Sequence, residues 1–144
     1  MHTNVRKFDK DASVFRDWRI DTPEDSLNCI EHDILHWHCS KFIKNPEQLK
    51  ELTNMVRKYA KELKTTYIML ASRSDFPQVS MLDFSTWARE SLIIDNKGAT
   101  SSYLDIWFIN ANYDSPDVPG RDAGQLMRYK FIELLVRIAQ GKYD

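Results

Sequence analysis

Gln125-Leu-Met-Arg-Tyr-Lys-Phe-Ile-Glu-Leu-Leu-Val-Arg-Ile-Ala-Gln-Gly-Lys-Tyr143 is the stretch on which the fold turns. Met127, Phe131, Leu134, Leu135 and Ile138 recur at helical spacing and mark one face of an α-helix. Tyr129, Ile132 and Val136 form a second apolar stripe beside it. A helix that is apolar on two sides is expected to be buried on two sides. The spacing therefore predicts a central helix with the rest of the chain laid around it, carrying few groups suited to chemistry.

Working outward, start signals for helices recur along the chain. Thr22-Pro23-Glu24-Asp25 combines a cap, a proline at the first helical position and a closing acid. Leu27, Ile30, Ile34 and Trp37 follow at helical spacing. Asn45-Pro46 repeats the signal, and Leu49, Leu52, Val56, Tyr59, Leu63, Tyr67 and Leu70 predict one helix from 46 to about 71, about 39 Å long. Its outer face mixes acids and bases, as a solvated face does. Ser72–Pro77 breaks it. Ser80 with Asp83 predicts a capping box, and Val79 with Phe84 a hydrophobic staple, for a helix to about Leu92 with Phe84, Trp87 and Leu92 inward. Asp95–Gly98 reads as a turn. Ser102 with Asp105 predicts a box for a helix to about Ala111. The run 112–124 is rich in Pro, Gly and Asp and reads as a loop, with Asp122 and Gln125 as caps for the final helix. No segment alternates as a strand, apart from a residue or two near Val79 and Leu126.

The expectation is a single all-α domain over 22–144. It follows an arm, 1–21, whose Val5, Phe8, Val14, Phe15 and Trp18 pack either on the domain or on a partner. A chain of 144 residues can bury a core without disulfides or a structural metal. Its formal net charge of −1, from 20 basic and 21 acidic residues, is not blocked into a tail. That argues against nucleic acid or an anionic membrane as partner. The apolar runs are too short to span a bilayer, and the first residues lack the apolar core of a signal peptide. Cys29 and Cys39 fit reduced thiols, so a cytoplasmic setting is expected.

The second half contains a repeated logic. Tyr59–Ala71, a loop, and a helix opening on Phe84 form one copy. Tyr103–Ala111, a longer loop, and a helix opening on Phe131 form the other. Each places an apolar residue, Val79 or Leu126, five before its Phe. The runs 128–139 and 102–112 also carry this pattern. Over about residues 50–143 it resembles a pair of EF-hands, of the degenerate, calmodulin-like kind found in ciliary and flagellar proteins of protists. The resemblance implies paired helix–loop–helix units, a small ladder between their loops, and a cytoskeletal, axonemal setting. Calcium ligation does not carry over. Ser72, Ser74, Phe76, Gln78, Ser80 and Asp83 fall at the ligand positions of the first loop. Phe76 replaces a ligand, Pro77 sits where glycine belongs, and Asp83 is a methylene short of the usual Glu. In the second loop Lys130 holds the twelfth position.

One constellation has metal-like spacing. His32 and His36, at i and i+4 in Cys29-Ile-Glu-His-Asp-Ile-Leu-His-Trp-His-Cys39, resemble the zinc-metalloprotease pair, with Asp33 in place of the Glu base. No Gly-rich phosphate loop and no Gly-x-Ser-x-Gly elbow is present. The reading that follows is a non-enzymatic protein-binding or scaffold module without cofactor. It would take a helix or an extended segment of another protein into a groove, with Trp87, Trp107 and Phe108 as candidate lining. Two alternatives stand beside it. One is a calcium-responsive regulator using Asp114, Asp117 and Asp122 of the 112–124 loop. The other is a small zinc hydrolase using His32 and His36.

Overall fold

In a computed structural model, residues 7–14, 16–17, 21–95, 97–113 and 125–143 are described. Among them the fold is all-α: α1 (Pro23–His36), α2 (Pro46–Lys58), α3 (Ala60–Ala71), α4 (Met81–Glu90), α5 (Ser101–Tyr113) and α6 (Arg128–Tyr143). Two short strands join them, β1 (Val79–Ser80) and β2 (Gln125–Leu126), and a single 3₁₀ turn spans Cys39–Lys41. No helix among the described residues is long and apolar enough to cross a membrane.

The caps explain where the first helices begin. The Thr22 hydroxyl accepts from the Asp25 N–H at 3.2 Å, and the Asp25 carboxylate accepts from the Thr22 N–H at 2.8 Å. Asn45 Oδ1 accepts from the N–H groups of Glu47 (2.9 Å) and Gln48 (3.5 Å). Other starts differ from the expected ones. The α4 box is half formed. Ser80 Oγ accepts from the Asp83 N–H at 3.1 Å, but the Asp83 carboxylate turns to the Ser74 hydroxyl, because the Ser80 backbone is committed to the ladder. Thr100, not Ser102, caps α5, accepting from the Tyr103 N–H at 3.3 Å. Gln125 belongs to β2 opposite Ser80 rather than to a cap of α6. Asp122 lies outside the described residues.

The single long helix expected over 46–71 is two helices. Tyr59 leaves helical geometry (φ −102°, ψ 23°) between α2 and α3. A straight helix of that length would overrun a core about 30 Å across. The break lets Val56 and Ala60 on one side, and Tyr67, Leu70 and Ala71 on the other, all reach the same core. Tyr59 itself stays about half exposed, against expectation.

Helix α4 stops earlier than expected. Leu92 has φ +59° and is 75% exposed, not inward. It occupies the left-handed position of a C-terminal turn in which the Ile93 N–H reaches the Ala88 carbonyl (3.0 Å) and the Leu92 N–H the Arg89 carbonyl (3.1 Å). Ile94 takes the buried place instead.

β1 and β2 pair antiparallel, Val79 opposite Leu126, both fully buried. The Tyr67 hydroxyl lies 2.7 Å from the Pro77 carbonyl oxygen and 2.9 Å from that of Leu126, so one phenol ties the approaches of both strands to α3. Burial pushes its pKa up to about 12.

Helix α6 packs against α1, α3, α5 and β2, as its two stripes imply. Phe131, Ile132, Leu134 and Ile138 are buried, and Phe84, Trp87 and Tyr67 set their rings around Phe131 at 5.6–5.9 Å. At its far end α6 approaches α5 so closely that a Cβ on Gly141 would meet the Trp107 ring at 2.3 Å. Of the N-terminal arm, Phe8 and Val14 are exposed. Val5, Phe15 and Trp18 lie outside the described residues.

Candidate functional site

The aromatics expected to line a groove are placed in the core or against it. Phe108 is 3% exposed, and Trp87 is half-buried against Phe84 and Phe131. Trp107 stacks on Tyr103 at 5.7 Å beneath Gly141. None of the three lines the groove described next.

The groove lies elsewhere. It runs along the α2–α3 junction against α6, with a volume of about 280 Å³. Leu52, Met55, Val56, Tyr59 and Leu63 form one wall, and Ile132, Leu135, Val136 and Ala139 the other. Every lining side chain is apolar but for the Tyr59 hydroxyl. Met55 and Tyr59 are about half exposed at its mouth. Tyr59, where the helix breaks, stands between the α2 and α3 residues of that wall. Leu52, Val56, Tyr59 and Leu63 belong to the apolar stripe read from the sequence, which assigned them to one helix and to no groove.

Beside the groove, α6 carries groups that periodicity misassigns. Glu133 is 0% and Lys130 is 1% exposed, between apolar neighbours. Glu133 accepts from the His38 backbone N–H at 2.7 Å and from Arg137 Nε at 3.1 Å, with Lys130 Nζ at 3.4 Å. Lys130 Nζ lies 3.1 Å from His38 Nδ1. The neighbouring Cys39 thiol is pushed far above its ordinary range, first by burial and then by the Glu133 charge. Lys130 thus turns into the core rather than toward a loop.

A second ionic pair joins α1 to α6. Asp33, 1% exposed, accepts from Arg128 Nε at 2.5 Å, and Arg128 reaches the Cys29 carbonyl at 3.4 Å. These groups edge a small cleft of about 210 Å³ with His32, Tyr67, Gln78 and Tyr129. His32 and His36 stack at 4.2 Å, and His36 Nδ1 is spent on the His32 carbonyl at 2.8 Å. Asp33, the expected base, is held by Arg128. Among the described residues no three His, Cys, Asp or Glu side chains gather as a metal would need.

In the first loop, Ser80 caps α4, Asp83 holds Ser74, and Phe76 is 67% exposed. Side-chain hydrogen bonds there engage Ser72, Ser74, Ser80 and Asp83, four of the six residues at the ligand positions. Asp114, Asp117 and Asp122 lie outside the described residues. Comparison with known protein families, with curated proteins and with solved structures returns no match for this chain.

Proposed function

We propose that this protein is a non-catalytic binding module whose groove between α2–α3 and α6 takes the apolar side of a helix from another protein. The observation that carries this reading is the groove's lining: eight side chains from three helices and Tyr59 at the α2–α3 junction, all apolar but for the one phenol hydroxyl. Apart from that phenol, the lining offers no general acid, base, nucleophile or ligand. Its volume falls just below the range of about 300–1,000 Å³ common for small-molecule sites, and it is open along its length. Its α6 wall, Ile132 to Ala139, runs about 10 Å, or two helical turns. Two or three anchor side chains at i, i+3 and i+7 suit it, each contributing about 1.5–3 kcal/mol of burial.

The resemblance to degenerate EF-hand pairs supports the same class of function. The Val79–Leu126 ladder and the order α3–β1–α4, α5–β2–α6 are what it implies, with hydrogen bonds in place of metal in the first loop. A ciliary or flagellar setting rests on that resemblance alone.

The test is fluorescence anisotropy of a labelled amphipathic 14-residue Leu/Lys helix, titrated with wild-type protein and with Ala139→Trp. Ala139 is exposed at the groove wall, so tryptophan there fills the groove without entering the core. Saturable one-to-one binding, weakened at least tenfold by Ala139→Trp at unchanged helix content, is expected. Equal binding by both proteins would place the site elsewhere.

A further inference from the structure

Two apolar surfaces of this molecule have opposite shapes. The groove between α2–α3 and α6 is concave. The outer side of α5 is convex, and Tyr103, Ile106 and Ile109 stand more than half exposed on it. At about 100° per residue, these three fall within about 120° of one another and form a single ridge. Leu104, Phe108 and Ala111, on the other side of α5, are buried and hold it to the core. The ridge therefore faces away from its own body. It cannot enter its own groove without pulling Leu104 and Phe108 out of the core.

Ridge and groove match in length and in charge. Tyr103 to Ile109 spans about 9 Å along α5, against about 10 Å for the α6 wall of the groove. The single charged residue of α5 is Asp105, exposed beside Ile109 at i, i+4 on the helix surface. It makes no ion pair among the described residues. Lys58 stands at the mouth of the groove, its Nζ 5.5 Å from the centre of the Tyr59 ring, and it too has no carboxylate partner there. One surface thus carries an unpaired acid and the other an unpaired base. A formal net charge of −1 does little to oppose the approach of a second copy.

We propose that α5 of a second copy occupies the groove, so that the protein associates with itself ridge into groove and α5 competes with a helix of another protein for the same site. This rests on the binding role of the groove given above.

The contact joins two different surfaces, so each copy in a pair keeps one of them free. Such a contact grows beyond two copies or closes into a ring. Three half-exposed side chains bury far less than the roughly 800 Å² per partner of a standard interface. Association is therefore weak and rises with concentration. The groove is open in dilute protein and covered in concentrated protein, which regulates its access to other helices.

The test is sedimentation velocity over a range of protein concentrations, with circular dichroism to confirm unchanged helix content. The weight-average sedimentation coefficient of the wild type is expected to rise with concentration. Ile106→Asp puts a charge on the exposed ridge, and Ala139→Trp fills the groove. Each variant alone is expected to associate at least tenfold more weakly. Mixed together, the first supplies an intact groove and the second an intact ridge. One joint is then possible, so the mixture is expected to form one-to-one dimers and nothing larger. A wild type that stays monomeric throughout, association that survives either variant, or a mixture that stays monomeric would overturn the proposal. Anisotropy of the Leu/Lys peptide separates the two readings. Peptide binding that Ala139→Trp weakens, with a monomeric wild type, leaves the groove reading and removes self-association. Absence of peptide binding, with association that Ala139→Trp leaves intact, removes both.

Discussion

Glu133 and Lys130 mark the limit of reading residues one at a time. Periodicity assigns charge to the outside, yet Glu133 is buried between Ile132 and Leu134 because three donors from two segments converge on it. Lys130 and Arg137 stand three and four residues from Glu133 on the same helix, a spacing that a solvated ion pair shares, and the donor that marks a buried site, the His38 N–H, lies 95 residues away in a turn. Removing the carboxylate by Glu133→Ala takes the acceptor from Arg137 Nε and from the His38 N–H, and a loss of about 3–5 kcal/mol is expected in urea unfolding. Leu92 has the opposite sign. An exposed leucine at φ +59° carries left-handed strain with no packing in return, so Leu92→Gly is expected to stabilise by about 1 kcal/mol. Tyr67 gives a pH signature. Its pKa of about 12, against about 10 in the unfolded chain, means the folded protein keeps a proton that the unfolded one sheds. Stability from this group is whole below pH 10 and falls between about 10 and 12. Tyr67→Phe is expected to cost about 1–2 kcal/mol at pH 7 and to flatten that alkaline slope.

At the scale of elements, the starts of α1 and α2 were legible because a cap is a local event: Thr22 and Asn45 satisfy N–H groups two or three residues away. The ladder was legible for a similar reason, since Val79 and Leu126 occupy matched places before Phe84 and Phe131. The break at Tyr59 was not. No proline or glycine marks it, and the apolar stripe runs through it without interruption. Its cause is the size of the core, a property of the folded chain. Of the nine residues that line the proposed groove, all but Met55 and Ala139 stood in apolar stripes of the sequence, but none was read there as groove lining. The aromatics Trp87, Trp107 and Phe108 were chosen for size, and size is also what a core selects. The caps carry a matching prediction: Asn45→Ala, which frees two N–H groups of α2, is expected to cost about 1 kcal/mol by thermal unfolding.

At the scale of the molecule, two open apolar surfaces among the described residues bear on binding. One is the groove between α2–α3 and α6. The other is the outer side of α5, where Tyr103, Ile106 and Ile109 are 51–62% exposed. The groove is concave and bounded by two walls, whereas the α5 face is a ridge on a single helix. A concave apolar strip offers an incoming helix contact on both flanks, so the groove is the surface proposed for binding. Methyl-resolved NMR during titration with the Leu/Lys helix separates the two most directly. The account predicts shifts centred on the methyls of Leu52, Val56, Leu63, Ile132, Leu135 and Val136. Shifts confined to Ile106 and Ile109 of α5 would contradict it.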